Sequence, residues 1–221
     1  LLQFKKTHIN FSGVKPLSKK EFLNYNSKLF VSRTIKSGNQ KFDNILVGMF
    51  LSTNEVAIYD KIKKIFIPIN IIINPFREIF LPKLLKLIKS NNIKLVKLNI
   101  FETTKVILTS SILFLSAVFY FKIEIYDYLG LINSSEIEIV LFGFCFSTIY
   151  LTFFWWVRLL SVSLNPNLSI YSNLIATVTI LTITPLSIEL FGFKGLGISL
   201  FINYTILAGY WSLKFKKYVL E

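Results

Sequence analysis

The 221 residues hold 25 Lys and Arg against 12 Asp and Glu, a formal net charge of +13, yet 53% of them are apolar and 22 are Phe. With a mean hydropathy of +0.57 this excludes an ordinary soluble domain. Because the basic residues flank apolar runs of spanning length, the positive surplus points to cytoplasmic loops of a membrane protein and not to nucleic acid.

Residues 1–25 carry Lys5, Lys6, Lys15, Lys19 and Lys20, with Gly13 and Pro16 breaking any continuous helix, and read as a cytoplasmic linker. The lone His8 there has no Cys or His neighbour, so no metal or catalytic site and no cofactor is expected. The chain starts Leu1-Leu2 without a basic n-region before an apolar core, which does not read as a signal peptide. The expectation is a piece of a longer protein.

Residues 26–82 read as a charged helix pair, the spans 26–51 and 56–81, joined by the polar turn Ser52-Thr53-Asn54-Glu55. A basic amphipathic connector follows over 83–105, with Lys83, Lys86, Lys89, Lys94 and Lys97 between apolar residues and Asn91-Asn92 interrupting it. Four cleaner spans fill 106–217: Val106–Phe121, Ile137–Val157, Ser169–Leu186 and Gly195–Leu213. Trp155-Trp156 before Arg158 reads as an interfacial aromatic belt. Thr177, Thr179, Thr182 and Thr184 are placed to bond carbonyls in their own helix, and Pro185 to close it. Cys145 lies within an apolar run as a small hydrophobe. Residues 218–221 are a cytoplasmic tail. A hydrocarbon core about 30 Å thick takes about 20 helical residues, so the count is six spans. Lipid offers backbone groups no partners, and runs this long without alternation favour helices over a barrel. The expected fold is therefore an all-α integral membrane bundle of six transmembrane helices. Lys and Arg number fifteen on the side holding both termini, against two on the other, or five if Lys61, Lys63 and Lys64 belong there. That asymmetry predicts cytoplasmic termini.

The charges in 26–81 fall into helical stripes. Asn26, Arg33, Lys36, Gln40 and Asp43 share one face, and Tyr59, Lys63, Asn70, Asn74 and Arg77 share another. Each Lys or Arg at a helix centre costs about 2.5–3.5 kcal/mol facing lipid, so such stripes belong against a wet interior and are functional candidates. Simpler readings stand beside this one. Lys61, Lys63 and Lys64 lie close enough to a helix start to snorkel, 26–42 could lie on the membrane surface, and Arg77-Glu78 could be an ion pair. Asn70, Asn74 and Pro75 could serve packing or a kink.

The run Phe42-Asp43-Asn44-Ile45-Leu46-Val47-Gly48-Met49-Phe50-Leu51-Ser52, followed by Glu55-Val56-Ala57-Ile58-Tyr59-Asp60, Lys63-Lys64-Ile65 and Pro82, resembles the polysaccharide flippases. These are the O-antigen and capsule repeat-unit translocases of the multidrug/oligosaccharidyl-lipid/polysaccharide exporter superfamily. The turn Leu190-Phe191-Gly192-Phe193-Lys194-Gly195-Leu196-Gly197 is similar to the one joining that family's last two spans. The resemblance covers about residues 17–217. It implies the C-terminal half of a twelve-helix exporter of the cytoplasmic membrane. The function implied is transport, not catalysis, of a polyprenyl-pyrophosphate-linked oligosaccharide by alternating access. Membrane lipids, a polysaccharide polymerase and chain-length machinery are the partners implied. On that footing Arg33 and Lys36, then Lys63 and Arg77, are the candidates for the pyrophosphate, since Arg gives it a bidentate fork and Lys a point charge. Asp43 would balance charge or take part in cation or proton coupling, and Tyr59, Asn70 and Asn74 would contact sugars. Two alternatives remain: a multidrug or peptidoglycan-precursor exporter of the same superfamily, and a membrane polymerase of lipid-linked sugars. A cationic stripe disfavours organic cations as cargo. A polymerase would want an acid/base pair and a sizeable outer loop.

Overall fold

A computed structural model describes residues 18–90, 92–131, 134–157 and 165–215, and all regular structure in these is helical. The elements are α1 (Lys19–Phe50), α2 (Thr53–Ile65), α3 (Ile67–Lys89), α4 (Ile93–Tyr120), α5 (Lys122–Leu129), α6 (Ser135–Phe153), α7 (Asn167–Phe191) and α8 (Lys194–Phe215). Most of the linker 1–25, the tail 218–221, Arg158 and the side chains of Lys41, Asp43 and Arg77 lie outside the described residues.

Five segments are long and apolar enough to cross a membrane: α2 with α3, α4, α6, α7 and α8. The protein is thus an all-α membrane bundle. The expected first span, α1, is one unbroken helix of 32 residues but does not reach that apolarity. Its cations keep it out of the set.

Local chemistry sets the breaks. The polar turn expected at Ser52–Glu55 is mostly the first turn of α2, because Ser52-x-x-Glu55 is a capping box. The Glu55 carboxylate accepts from the Ser52 N–H at 2.8 Å, and the Glu55 N–H donates to Ser52 Oγ at 3.4 Å. A second break falls at Phe66, just before α3, whose first turn carries Pro68. Proline has no N–H to offer the Lys64 carbonyl, so the helical ladder is interrupted there. Pro75 and Pro82 lie inside α3, and Pro185, expected to close a span, lies inside α7, which runs on to Phe191. Residues 83–105 are shared by the end of α3 and the start of α4, and Asn92 caps α4 by accepting from the Leu95 N–H at 3.2 Å.

Neighbouring helices run in the order α1, α7, α8, α6, α4, α3, with α2 touching α1, α6 and α3. One very close crossing is α6 on α8. A Cβ at Gly143 would stand 2.8 Å from the Gly197 carbonyl oxygen, and a Cβ at Gly197 would collide with the Ile139 carbonyl. In lipid, where helices gain nothing by hiding apolar surface from water, such backbone-close packing supplies the association energy. Gly192 has φ +60° and ψ −141°, a conformation open only to glycine, and it turns α7 into α8.

Two apolar plugs close the bundle. One gathers Val47, Tyr59, Ile62, Phe66, Val118, Ile137, Val140, Phe144, Ile188 and Leu196. The other gathers Ile69, Ile73, Val96, Ile107, Trp155, Trp156, Leu168 and Trp211. Trp155 and Trp156 are therefore not an interfacial belt: they are 3% and 7% exposed, and Trp155 Nε1 donates to Thr104 Oγ1 at 2.9 Å. Indole rings bury large apolar areas once the N–H finds a partner, which here is supplied by α4. On the short helix α5, Lys122 donates to Glu138 in the first turn of α6 and lies 5.6 Å over the Tyr126 ring. Burial raises the Tyr126 phenol above its ordinary value, with Glu138 and Cys145 adding to the effect, so the phenol stays neutral.

Replacing Gly143 with Leu should force α6 from α8 and cost at least about 1–3 kcal/mol, the range for overpacking a tight core. Thermal unfolding in detergent measures this, and an unchanged midpoint would contradict the crossing.

Candidate functional site

Although α1 is too charged to lie alone in lipid, polar side chains tie it into the bundle. Ser32, Asn39 and Leu46 recur every seven residues on its buried face. Ser32 Oγ meets Ser169 Oγ at 2.7 Å. Asn173 Nδ2 donates to the Ser32 carbonyl at 2.8 Å and to its hydroxyl at 3.0 Å. Asn39 Nδ2 donates to the Asn173 carbonyl at 3.1 Å, while Thr177 Oγ1 donates to Asn39 Oδ1 at 2.7 Å. Interhelical hydrogen bonds of this kind are worth about 0.6–2 kcal/mol each. The alternative of a surface helix over 26–42 does not match this geometry, because Ser32 and Asn39 are buried against α7.

Behind this contact lies a cavity of about 590 Å³, walled by α1, α2, α3, α6, α7 and α8. On α7 and α8 it falls between the two apolar plugs, while Tyr59, Phe66 and Phe144 of one plug and Ile69 of the other form part of its lining. On α8 it takes Ser199, Asn203 and Leu207, after Leu196 of one plug and before Trp211 of the other. On α7 it takes residues from Asn173 to Thr184, between Leu168 and Ile188. Phe66 and Ile67, at the interrupted helix, also line it. Backbone irregularity at membrane depth is tolerated where it borders such a space.

Five of the eight candidate residues come together in this cavity: Lys36, Lys63, Tyr59, Asn70 and Asn74. Lys63 Nζ donates to Asn44 Oδ1 at 3.0 Å and stands 5.7 Å from the Tyr59 ring centroid. Tyr59 is buried and packs on Phe144 with ring centroids 5.6 Å apart. Arg33 is exposed and is not among the lining residues. Asp43 lies on α1 and Arg77 on α3, and their side chains fall outside the description. Arg33 leaves the site because the buried seam runs through Ser32, and the next residue along a helix turns about 100° away from it.

The opposite wall was not anticipated. It holds Ser147 and Thr148 on α6, Asn173 and Thr184 on α7, and Ser199, Asn203 and Tyr204 on α8. Their signal was present in the sequence as small polar residues recurring at helical spacing inside apolar runs. Among the four threonines of α7, Thr177, Thr179 and Thr182 bond carbonyls one turn earlier, as expected, at 2.7–2.8 Å. Thr177 also reaches across to α1.

A family model described as polysaccharide biosynthesis protein matches residues 8–126, more than half of the chain and including α1 to α4. The chain belongs to this family. No curated protein and no solved structure matches it. As a polysaccharide biosynthesis protein with five spanning segments, it is a multi-pass membrane protein, and its cavity offers two lysines and several amides within an apolar surround. Such a surround lowers the local dielectric and strengthens contacts to a polar or anionic group that enters.

Cysteines at Ser32 and Ser169, introduced with Cys145→Ala, should cross-link on mild oxidation in membranes. Absence of the cross-link in well-expressed protein would remove α1 from its place on α7.

Proposed function

We propose that this chain is a flippase component for polyprenyl-pyrophosphate-linked oligosaccharide in the cytoplasmic membrane. Its six long helical segments then form one half of an exporter of the superfamily resembled, with both termini cytoplasmic, and the cargo passes between the halves by alternating access. The observation that carries this reading is the cavity between the apolar plugs, where Lys36 and Lys63 share a space with Asn70 and Asn74. An anionic, sugar-bearing headgroup needs that combination. Lysine supplies point charges for pyrophosphate oxygens, and each amide supplies both donors and an acceptor for hydroxyls. At about 590 Å³ the cavity lies within the usual range of about 300–1,000 Å³ for small-molecule sites. It suits the pyrophosphate and the nearest sugar, leaving the rest of the oligosaccharide to the space shared with the other half.

In this reading Lys36 and Lys63 contact the pyrophosphate. Arg77 and Asp43 keep the parts of second cation and of coupling or balancing charge, while Tyr59, Asn70 and Asn74 contact sugar. Arg33, off the cavity wall, gives up its place to Lys63. The arc of helices ends in α1 and α3, both of which contribute to the cavity, so a second bundle would close over Lys36 and Asn74. The polymerase and chain-length machinery of the same process are the partners in this reading.

The test is transport of the glycosylated lipid by the full-length protein in vesicles. Lys36→Ala and Lys63→Ala should each lower the rate about ten- to a hundredfold, from about 1.5–3 kcal/mol for a hydrogen bond to a charged group. Wild-type rates in both, at normal protein levels, would refute the assignment.

A further inference from the structure

Two buried side-chain atoms among the described residues lack a hydrogen-bond partner: the Tyr126 hydroxyl and Asn203 Oδ1. Tyr126 lies in the apolar plug and is not among the cavity-lining residues. Asn203 is 7% exposed and lies in the cavity wall, between Ser199 and Leu207 on the same face of α8. A buried carbonyl oxygen left unpaired costs more than a bond contributes, so its retention in an apolar helix requires a compensating partner. No described residue of a neighbouring helix donates to it. The Ser147 and Ser199 hydroxyls donate to carbonyls of their own helices, at 2.7 and 2.9 Å.

The cavity is also divided by charge. Its lysines, Lys36 and Lys63, come from α1 and α2, whereas the described residues that α6, α7 and α8 contribute are all uncharged. On α8, Asn203 is followed by Tyr204, whose ring lies 5.0 Å from that of Tyr150. An unpaired acceptor on an uncharged wall, beside an aromatic pair, suits a hydroxyl group, which has a proton to donate to Asn203 Oδ1 where an ionised phosphate has none.

We infer that Asn203 is a sugar-recognition residue, its Oδ1 accepting a hydrogen bond from a hydroxyl of the sugar nearest the pyrophosphate. The inference rests on the flippase reading. It adds a neutral subsite: charge is read by the lysines of α1 and α2, and Asn203 of α8 joins Tyr59, Asn70 and Asn74 in reading hydroxyls. Removing the acceptor therefore separates two affinities that the lysine variants reduce together.

The experiment measures binding of two lipids to full-length protein in nanodiscs, polyprenyl pyrophosphate carrying one hexose and the bare polyprenyl pyrophosphate. In Asn203→Leu, a near-isosteric change, affinity for the hexose-bearing lipid should fall about tenfold while affinity for the bare lipid holds within twofold. Its thermal midpoint should hold or rise, because an unpaired polar group has been removed. Equal losses for both lipids together with a lower midpoint would mean a packing role, and no loss for either would mean a water partner. Either result overturns the inference. If the Leu variant fails to accumulate, Asn203→Ala is expected to show the same selective loss. Lys36→Ala supplies the second axis. If it weakens both lipids while Asn203→Leu weakens neither, the sugar subsite alone fails. If no variant changes either affinity, the flippase reading fails with it.

Discussion

The contact between α1 and α7 is the constraint on which the rest depends. A helix carrying Lys28, Arg33 and Lys36 has no place against lipid, where each central cation costs about 2.5–3.5 kcal/mol. Ser32 and Asn39 resolve this by meeting Ser169, Asn173 and Thr177, so that the charged stretch of α1 is held by hydrogen bonds, with Leu46 and Val47 buried further along the helix. Lys36, one turn on from Ser32, is thereby set at the edge of the cavity. The same contact closes the cavity on one side, since Asn39 and Asn173 both line it.

Around that contact, the bundle separates wet from dry by position along the helices. Aromatic and aliphatic clusters fill both ends, and the polar residues concentrate at the level between them. The interruption at Phe66, a member of one plug, borders this level, and Ser, Thr and Asn residues of α6 to α8 occupy it. Close Gly143–Gly197 packing fixes α6 and α8 firmly, which steadies the wall containing Asn203. A rigid neutral wall facing a charged helix is a geometry in which one ligand is read by two kinds of chemistry.

Much of this was legible in the sequence. The apolar runs predict the helices. Four residues of the stripe that also includes Arg77, namely Tyr59, Lys63, Asn70 and Asn74, gather at one cavity, because helical periodicity carries across the break at Phe66 closely enough to keep them on one side. Other parts were not legible for physical reasons. The charges of α1, Arg33 among them, mark one stripe, whereas burial selects Ser32 and Asn39, the residues able to satisfy polar groups on α7. Charge density pointed to the helix but not to its contact face. Trp155 and Trp156 looked interfacial by position, yet Thr104 supplied the indole partner that allowed burial. Pro185 looked like a stop, but a proline inside a packed membrane helix removes one hydrogen bond without ending the helix. The neutral wall was missed because single Ser, Thr and Asn residues in apolar runs carry little weight one at a time. Their common face emerges only when three helices are brought together.

The property that decides the role of this cavity is whether the space behind α1 is hydrated in the membrane. In a Cys145→Ala background, single cysteines at Ala176 and Val178 of α7 probe opposite sides of one helix, the first lining the cavity and the second exposed on the bundle exterior. With full-length protein in native membranes, a charged water-soluble thiol reagent should modify Ala176→Cys readily and leave Val178→Cys largely unmodified. Protection of Ala176→Cys alongside modification of Val178→Cys would contradict the account, because the polar cavity would then be dry and the cationic helix would border something else.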